Sequence, residues 1–134
     1  MLEVNDEALR MINSSIDEVL TMINESEDIR KIIASLPKIG HKIRAMAEIK
    51  DTPDNRFLSF IIGFLIATCR AYLEDKEMSW YELNKETLAE CTIALKNFLT
   101  NLKSAINEKS FEKAIDAAKM FYYEFYQKTL SFTA

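Results

Sequence analysis

Residues 88–106 read LAECTIALKNFLTNLKSAI, and this stretch decides the fold class. Its apolar residues return at alternating steps of three and four, which places them on one face of a long α-helix. A half-buried strand would instead be apolar at every second position. The members of this seam are Leu88, Cys91, Leu95, Phe98, Leu102 and Ala105. The stretch therefore predicts a helix that buries one face against other helices.

The same kind of pattern extends outward along the chain in both directions. A helix from about residue 6 to residue 24 carries a second seam, and residues 111–130 are predicted to form a last helix with a phenylalanine-rich face. The seam of the first helix consists of Leu9, Ile12, Ile16, Val19 and Ile23. Residues 53–74 are apolar on nearly every side, so we expect this helix to be covered on several sides within a bundle.

Glycine and proline are scarce in this chain. Its 134 residues include two of each, and an all-β or Rossmann-type fold needs far more turn residues. We predict a single domain over residues 1–134, an all-α antiparallel bundle of four long helices. One or two extra short helices are expected near residues 26–50, because Pro37 should end or bend a helix and a further helix is plausible over 38–50.

Several residues mark where the predicted helices begin. Ser79 and Glu82 form a capping box, and Met78 and Leu83 are placed as its hydrophobic staple. The other predicted caps and first residues are Asn24 or Ser26, Pro53 and Ser110. Small side chains also recur every fourth residue in the central helix, which predicts that another helix approaches it closely. This small-residue ridge is Ser59, Gly63, Ala67 and Ala71.

The sequence offers little from which to assemble a catalytic site. It has one histidine, His41, and neither E-x-x-H nor H-x-x-x-H, the spacings of helical metal sites. Cys69 and Cys91 hold seam positions, where we expect unbridged core thiols that do not react. We therefore predict a protein that is not an enzyme and holds no cofactor or metal. An enzyme would have to use His41 or a carboxylate cluster.

Charge is distributed unevenly although the net charge is only −4. Residues 1–30 hold eight acids and two bases, a net −6, whereas residues 31–56 hold six bases and three acids, a net +3. Four side chains are expected to share the outer side of the short third helix: Lys38, His41, Lys42 and Arg44. We prefer the interpretation that they neutralise the acidic first helix or face water. Contact with the phosphate backbone of a nucleic acid is the alternative.

The chain also carries more apolar surface than a bundle needs. Methionine and aromatic side chains beside the seams of the first and last helices predict an association surface, because such residues are enriched where proteins meet. Its candidate members are Met11, Met22, Tyr122, Tyr123, Tyr126 and Phe132. Burial in the core of the same chain is the open alternative.

The sequence predicts neither a signal peptide nor a membrane-spanning helix. The first ten residues are acidic where a signal peptide would be basic. The longest nearly apolar run, residues 57–69, is 13 residues long, and a bilayer span needs about 20. We expect a cytoplasmic, non-enzymatic helical interaction or assembly module that avoids membranes and either forms a homo-oligomer or binds a protein partner. The alternative is a small helical subunit that contacts nucleic acid through residues 31–56.

Overall fold

A computed structural model describes the backbone of residues 1–74 and 85–133 and the side chains of residues 1–71 and 89–125. Within those residues the secondary structure consists of α-helices, with no strand. The five helices are α1 (Asp6–Asn24), α2 (Ile29–Ile49), α3 (Pro53–Glu74), α4 (Lys85–Asn107) and α5 (Phe111–Thr133). The predicted all-helical bundle is confirmed.

The helices form a closed ring in the order α1, α2, α3, α5, α4, and each packs chiefly against two neighbours. Short turns join α1 to α2, α2 to α3 and α4 to α5, so these neighbours run antiparallel. Helix α4 is also antiparallel to α1, because Asn13 contacts Asn107 while Asp17 contacts Lys103. A ring of five cannot alternate direction throughout, and the parallel pair is α3 with α5.

The predicted seams line the inside of this ring. In α1 they are buried from Ile12 to Ile23, and Leu9 at the start is half-buried. In α4 the seam residues from Cys91 onward are all buried, so both of these seam predictions are confirmed. The largest fully buried side chains are Leu2, Ile12, Ile16, Ile32, Ile39, Ile43, Met46, Leu58, Ile62, Leu99, Leu102 and Ile106.

Helix α2 departs from the prediction of one or two short helices near residues 26–50. It is one helix of 21 residues with Pro37 inside it, so a helix end at this proline is wrong. Proline in a helix interior costs about 3 kcal/mol. However, Ile33 and Leu36 before it and Ile39 and Ile43 after it are all buried on one face. Each such side chain stabilises by about 1.5–3 kcal/mol on burial, which outweighs the cost of the proline.

The helix ends follow local signals. The predicted break between α1 and α2 is confirmed, but the cap of α2 is Asp28, whose side chain accepts a hydrogen bond from Arg30 N at 2.8 Å. Ser26 instead takes a left-handed conformation with φ of 56° and ends α1. Pro53 opens α3, and Ser110 Oγ accepts from Lys113 N at 3.2 Å before α5, both as predicted.

Asn55, at the start of α3, forms hydrogen bonds with the segment before α1. Its side chain has no exposed surface, and its Oδ1 accepts from Glu3 N at 3.1 Å. Its Nδ2 donates to the carbonyl oxygens of Glu3 and Lys50 at 2.8 and 3.0 Å. Leu2 and Val4 are thereby buried at this end of the ring.

Some predicted features lie outside the described residues. They are the capping box of Ser79 and Glu82 with its staple, Met78 and Leu83, and the side chains of Leu88, Tyr126 and Phe132.

Candidate functional site

The four predicted basic-patch residues lie along α2 but not on one face of it. Lys38 points toward α1, where its Nζ donates to Glu18 Oε1 at 3.2 Å, and Lys42 follows one helical turn later. His41 and Arg44 lie on the other side, along the groove between α2 and α3. The structure therefore brings these residues together as two pairs, one facing each neighbour.

Acidic side chains accompany most bases of residues 31–56. Lys38 and Lys50 pair with Glu18 and Glu3 of the acidic N-terminal segment, at 3.2 and 3.9 Å. The other pairs are Lys31 with Glu27, Arg44 with Glu48, and Arg56 with Asp51. The Arg56 guanidinium donates two hydrogen bonds to the Asp51 carboxylate and lowers its pKa. These contacts favour the interpretation that the basic segment balances acidic neighbours.

The predicted association residues are spread over separate surfaces. Met11 is exposed on α1, whereas Met22 is half-buried, with its sulfur 3.4 Å from Ser35 Oγ of α2. Tyr122 and Tyr123 are exposed on α5, which does not neighbour α1 in the ring. Methionines and tyrosines therefore do not combine into one surface among the described residues.

A row of exposed aromatic residues lies on α3. The sequence predicted that several sides of this helix are covered, and its outer side is not among them: the exposed fractions of Phe57, Phe60 and Phe64 are 49%, 68% and 51%. In the ring each helix is covered by two neighbours and the core, so the remaining side faces out. A helix that is apolar all round must then expose apolar residues.

A second seam in the sequence of α3 accounts for this surface. Phe57, Phe60, Phe64, Ala67 and Ala71 follow one another at steps of three and four, and all five are exposed. Four buried residues of α3 keep a similar spacing on the opposite side of the helix: Leu58, Ile62, Leu65 and Cys69. Asn55 and Ile66 are buried as well. Sequence reasoning missed the outer seam because it treated the apolar residues of α3 as one set, and separating their two phases would have revealed it.

Two rings of α5 extend the aromatic surface. Phe57 and Phe111 have ring centroids 6.0 Å apart, and Phe64 and Tyr122 have centroids 6.4 Å apart. These pairs also show that α3 and α5 run parallel. We use "outer face of α3" for Phe57, Phe60, Gly63, Phe64, Ala67 and Ala71.

The small-residue ridge beside the phenylalanines is open. A Cβ atom built on Gly63 would meet nothing within 4 Å. The close helix approach occurs instead at Gly40 of α2, where a Cβ would lie 3.0 Å from Ile66 Cδ1. Between α2 and α3 runs a groove of about 260 Å³, lined by residues that include His41, Arg44, Gly63, Ala67 and Arg70.

The described residues offer few groups for catalysis. They contain no cluster of three or more His, Cys, Asp or Glu side chains that could hold a metal ion. Cys69 and Cys91 are both buried and form no disulfide bond, as expected for core thiols. Burial, with a smaller contribution from Cys91, raises the pKa of the Cys69 thiol to about 12. Almost no thiolate, the reactive form, exists there at neutral pH.

Within the described part of the chain, every helix is too short or too polar to cross a membrane.

Comparisons with known proteins identify no relative of this chain. No protein-family model matches the sequence, and neither a curated protein nor a solved structure matches it significantly.

Proposed function

We propose that this chain is a non-enzymatic interaction module and that the outer face of α3 is its contact surface. The observation that carries the proposal is the row of three phenylalanines, each about half exposed or more, beside Tyr122 at 41%. Together they present on the order of 400 Å² of aromatic surface, taking 150–250 Å² for each whole side chain. Contiguous apolar patches of this size on soluble proteins often mark interaction sites.

The composition of the patch supports a protein partner. Aromatic side chains are enriched at the centres of protein interfaces, and Arg side chains are frequent hot spots there. Arg56 and Arg70 are exposed on either end of the outer face. The basic residues of α2 make a weaker candidate surface, because they are divided between two sides of the helix: Lys38 faces α1, and Arg44 lies along the groove with α3.

The proposal places the module inside the cell. Cys69 and Cys91 are buried thiols outside any disulfide bond, which suits a reducing compartment, where thiols are kept reduced.

Photocrosslinking in the source cells tests the proposed function. A benzoylphenylalanine at position 60 keeps an aromatic group on the outer face, and the matched control places it at Asn97, which is exposed on α4. We expect protein adducts from position 60 and none from position 97, and loss of the adducts when Phe57 and Phe64 are both changed to Ser. Equal labelling at the two positions, or no adduct at position 60, would contradict the proposal.

A further inference from the structure

We infer that the partner of the outer face of α3 is a second copy of this chain, docked so that the two α3 helices cross antiparallel about a two-fold axis. This inference rests on the proposed function and adds the identity and orientation of the partner. It is carried by the order of large and small residues along the outer seam, by the open notch at Gly63 and by the area available for contact.

Large and small side chains occupy opposite halves of the outer face. Phe57 and Phe60 lie toward the N-terminus of α3, and Ala67 and Ala71 lie toward its C-terminus. In an antiparallel pair centred between Gly63 and Phe64, the N-terminal half of one helix meets the C-terminal half of the other. Near the axis, large residues then face small ones. A parallel pair would instead stack phenylalanine on phenylalanine and alanine on alanine.

The residue numbers give the register of this pairing. With the axis between residues 63 and 64, Phe64 of one copy meets Gly63 of the other. Phe60 meets Ala67 of the other copy on the same basis. Because the axis relates the copies, each of these contacts occurs twice, as in an isologous dimer.

The notch at Gly63 is shaped for such a contact. A Cβ atom there would touch nothing within 4 Å, and the groove of about 260 Å³ beside it is lined by Ser59 and Ala67. Ridges of side chains fit into grooves of this kind when helices pack, and small residues let the backbones approach. A phenylalanine ring from the second copy fills the space that the glycine leaves.

The ends of the contact are complementary as well. The same register sets Phe57 of one copy opposite Arg70 of the other, and both are exposed. A guanidinium above an aromatic ring is attractive by about 0.5–1 kcal/mol at exposed sites. Two antiparallel helices also place the positive end of each dipole beside the negative end of the other.

The area suffices for a dimer of moderate affinity. The exposed aromatic surface of two copies amounts to about 800 Å². The small-residue ridge and the stems of Arg56 and Arg70 bring the total to about 1,200 Å², the lower end for specific interfaces. Interfaces at the small end of this range are commonly weak, and we expect a dissociation constant on the order of 10 μM.

Light scattering on the purified full chain over about 1 μM to 1 mM tests self-association. We expect the mass to rise from 15.5 kDa toward twice that value. The discriminating variant is Gly63→Leu, which adds apolar surface at a position where a Cβ atom meets nothing within 4 Å of its own chain. Nonspecific hydrophobic contact would become tighter in this variant. The proposed dimer instead loses its notch and weakens by about tenfold or more.

Disulfide trapping tests the orientation. A mixture of Arg56→Cys and Ala71→Cys chains should give a mixed disulfide dimer under mild oxidation, because the antiparallel register places these positions opposite each other. The Ala71→Cys chain alone should remain unlinked, and preferential linkage of that chain to itself would overturn the antiparallel arrangement. The native thiols do not interfere because both are buried.

The outcomes separate this inference from the function it rests on. A chain that stays monomeric at about 1 mM while position 60 still crosslinks to a different protein overturns the dimer and leaves the interaction module standing. Tighter association of Gly63→Leu likewise overturns the proposed register. No adduct and no dimer would overturn both proposals.

Discussion

The two sides of α3 carry apolar residues at the same helical spacing, but only one side is buried. Leu58 and Ile62 on the inner side have 0% and 1% of their surface exposed, whereas Phe60 on the outer side has 68%. The inner residues contact the other helices of the ring, and the outer residues face solvent. The comparison teaches that a heptad seam predicts packing against another surface. That surface can belong to the same chain or to a different one.

The largest expected effect separates the two sides by stability. Ile62→Ala should lower the free energy of unfolding by about 3 kcal/mol, because it leaves a cavity in the core. Phe60→Ala should change it by about 0.5 kcal/mol or less, since an exposed site has little packing to lose. Urea unfolding of both variants at low micromolar concentration measures this difference. A comparable loss in the two variants would show that the outer side also supports the fold.

The buried side chain of Asn55, at the start of α3, provides a second test of how much the inner side contributes to stability. Asn55→Ala should lower the free energy of unfolding by about 2–3 kcal/mol, because the carbonyl oxygens of Glu3 and Lys50 lose their donor in a buried site. Thr52→Ala is the matched control, since it removes a single cap from the same turn. It should cost about 1 kcal/mol. Equal effects from the two variants would argue against a central role for Asn55.

The buried thiol of Cys69, on the inner side of α3, makes the free energy of unfolding depend on pH. The pKa of Cys69 is about 12 in the folded chain against 9.0 for an unperturbed thiol. Between these values the unfolded chain releases a proton that the folded chain keeps, so stability falls as the pH rises. At pH 10 we expect a loss of about 1.4 kcal/mol relative to pH 8. Urea unfolding of Cys69→Ala should show a pH dependence shallower by that amount; identical profiles would contradict the assignment.

The two glycines provide a smaller, matched test. Gly63→Ala on the outer side should stabilise the monomer by about 1 kcal/mol, because alanine favours helix and the added methyl meets no atom. Gly40→Ala should gain about 1 kcal/mol less, since its methyl would press on Ile66 at 3.0 Å. Thermal unfolding of both variants compares them directly. Equal gains would mean that α2 and α3 pack less closely at Gly40 than described.

The smallest expected effect concerns the basic residues of α2. At about 0.15 M salt we expect no retardation of DNA or RNA by the chain in a gel shift, because Lys38 and Arg44 already contact carboxylates. Retardation that weakens with salt and is lost in Lys38→Gln with Lys42→Gln would instead revive contact with nucleic acid.

The fold was predictable wherever one apolar phase persisted along a helix. The seams of α1 and α4 keep one spacing, and their described residues are buried as predicted, apart from the half-buried Leu9. Pro37 misled the prediction because burial on both sides of it, which only the folded ring reveals, exceeds the local cost of a proline. The order of the helices in the ring was also not predictable, because a seam identifies the buried face of a helix but not the helix that packs against it.

The candidate site was less predictable for a related reason. Lys38 and His41 were grouped by proximity in sequence, yet they face α1 and α3, and no spacing rule identifies those neighbours. The second phase of α3, carried by Phe57, Phe60 and Phe64, was present in the sequence. Its exposure became evident only when the ring left one side of the helix uncovered.

The most direct test of the account compares two exposed apolar residues. Phe60→Ser changes the outer face of α3. The control Ile93→Ser changes another exposed apolar residue, which lies on α4 and is 58% exposed. Sedimentation equilibrium of the two variants should show self-association weakened about tenfold or more by Phe60→Ser and unchanged by Ile93→Ser. Equal association of both variants and the unsubstituted chain would contradict the claim that two copies of the chain dock through the outer face of α3.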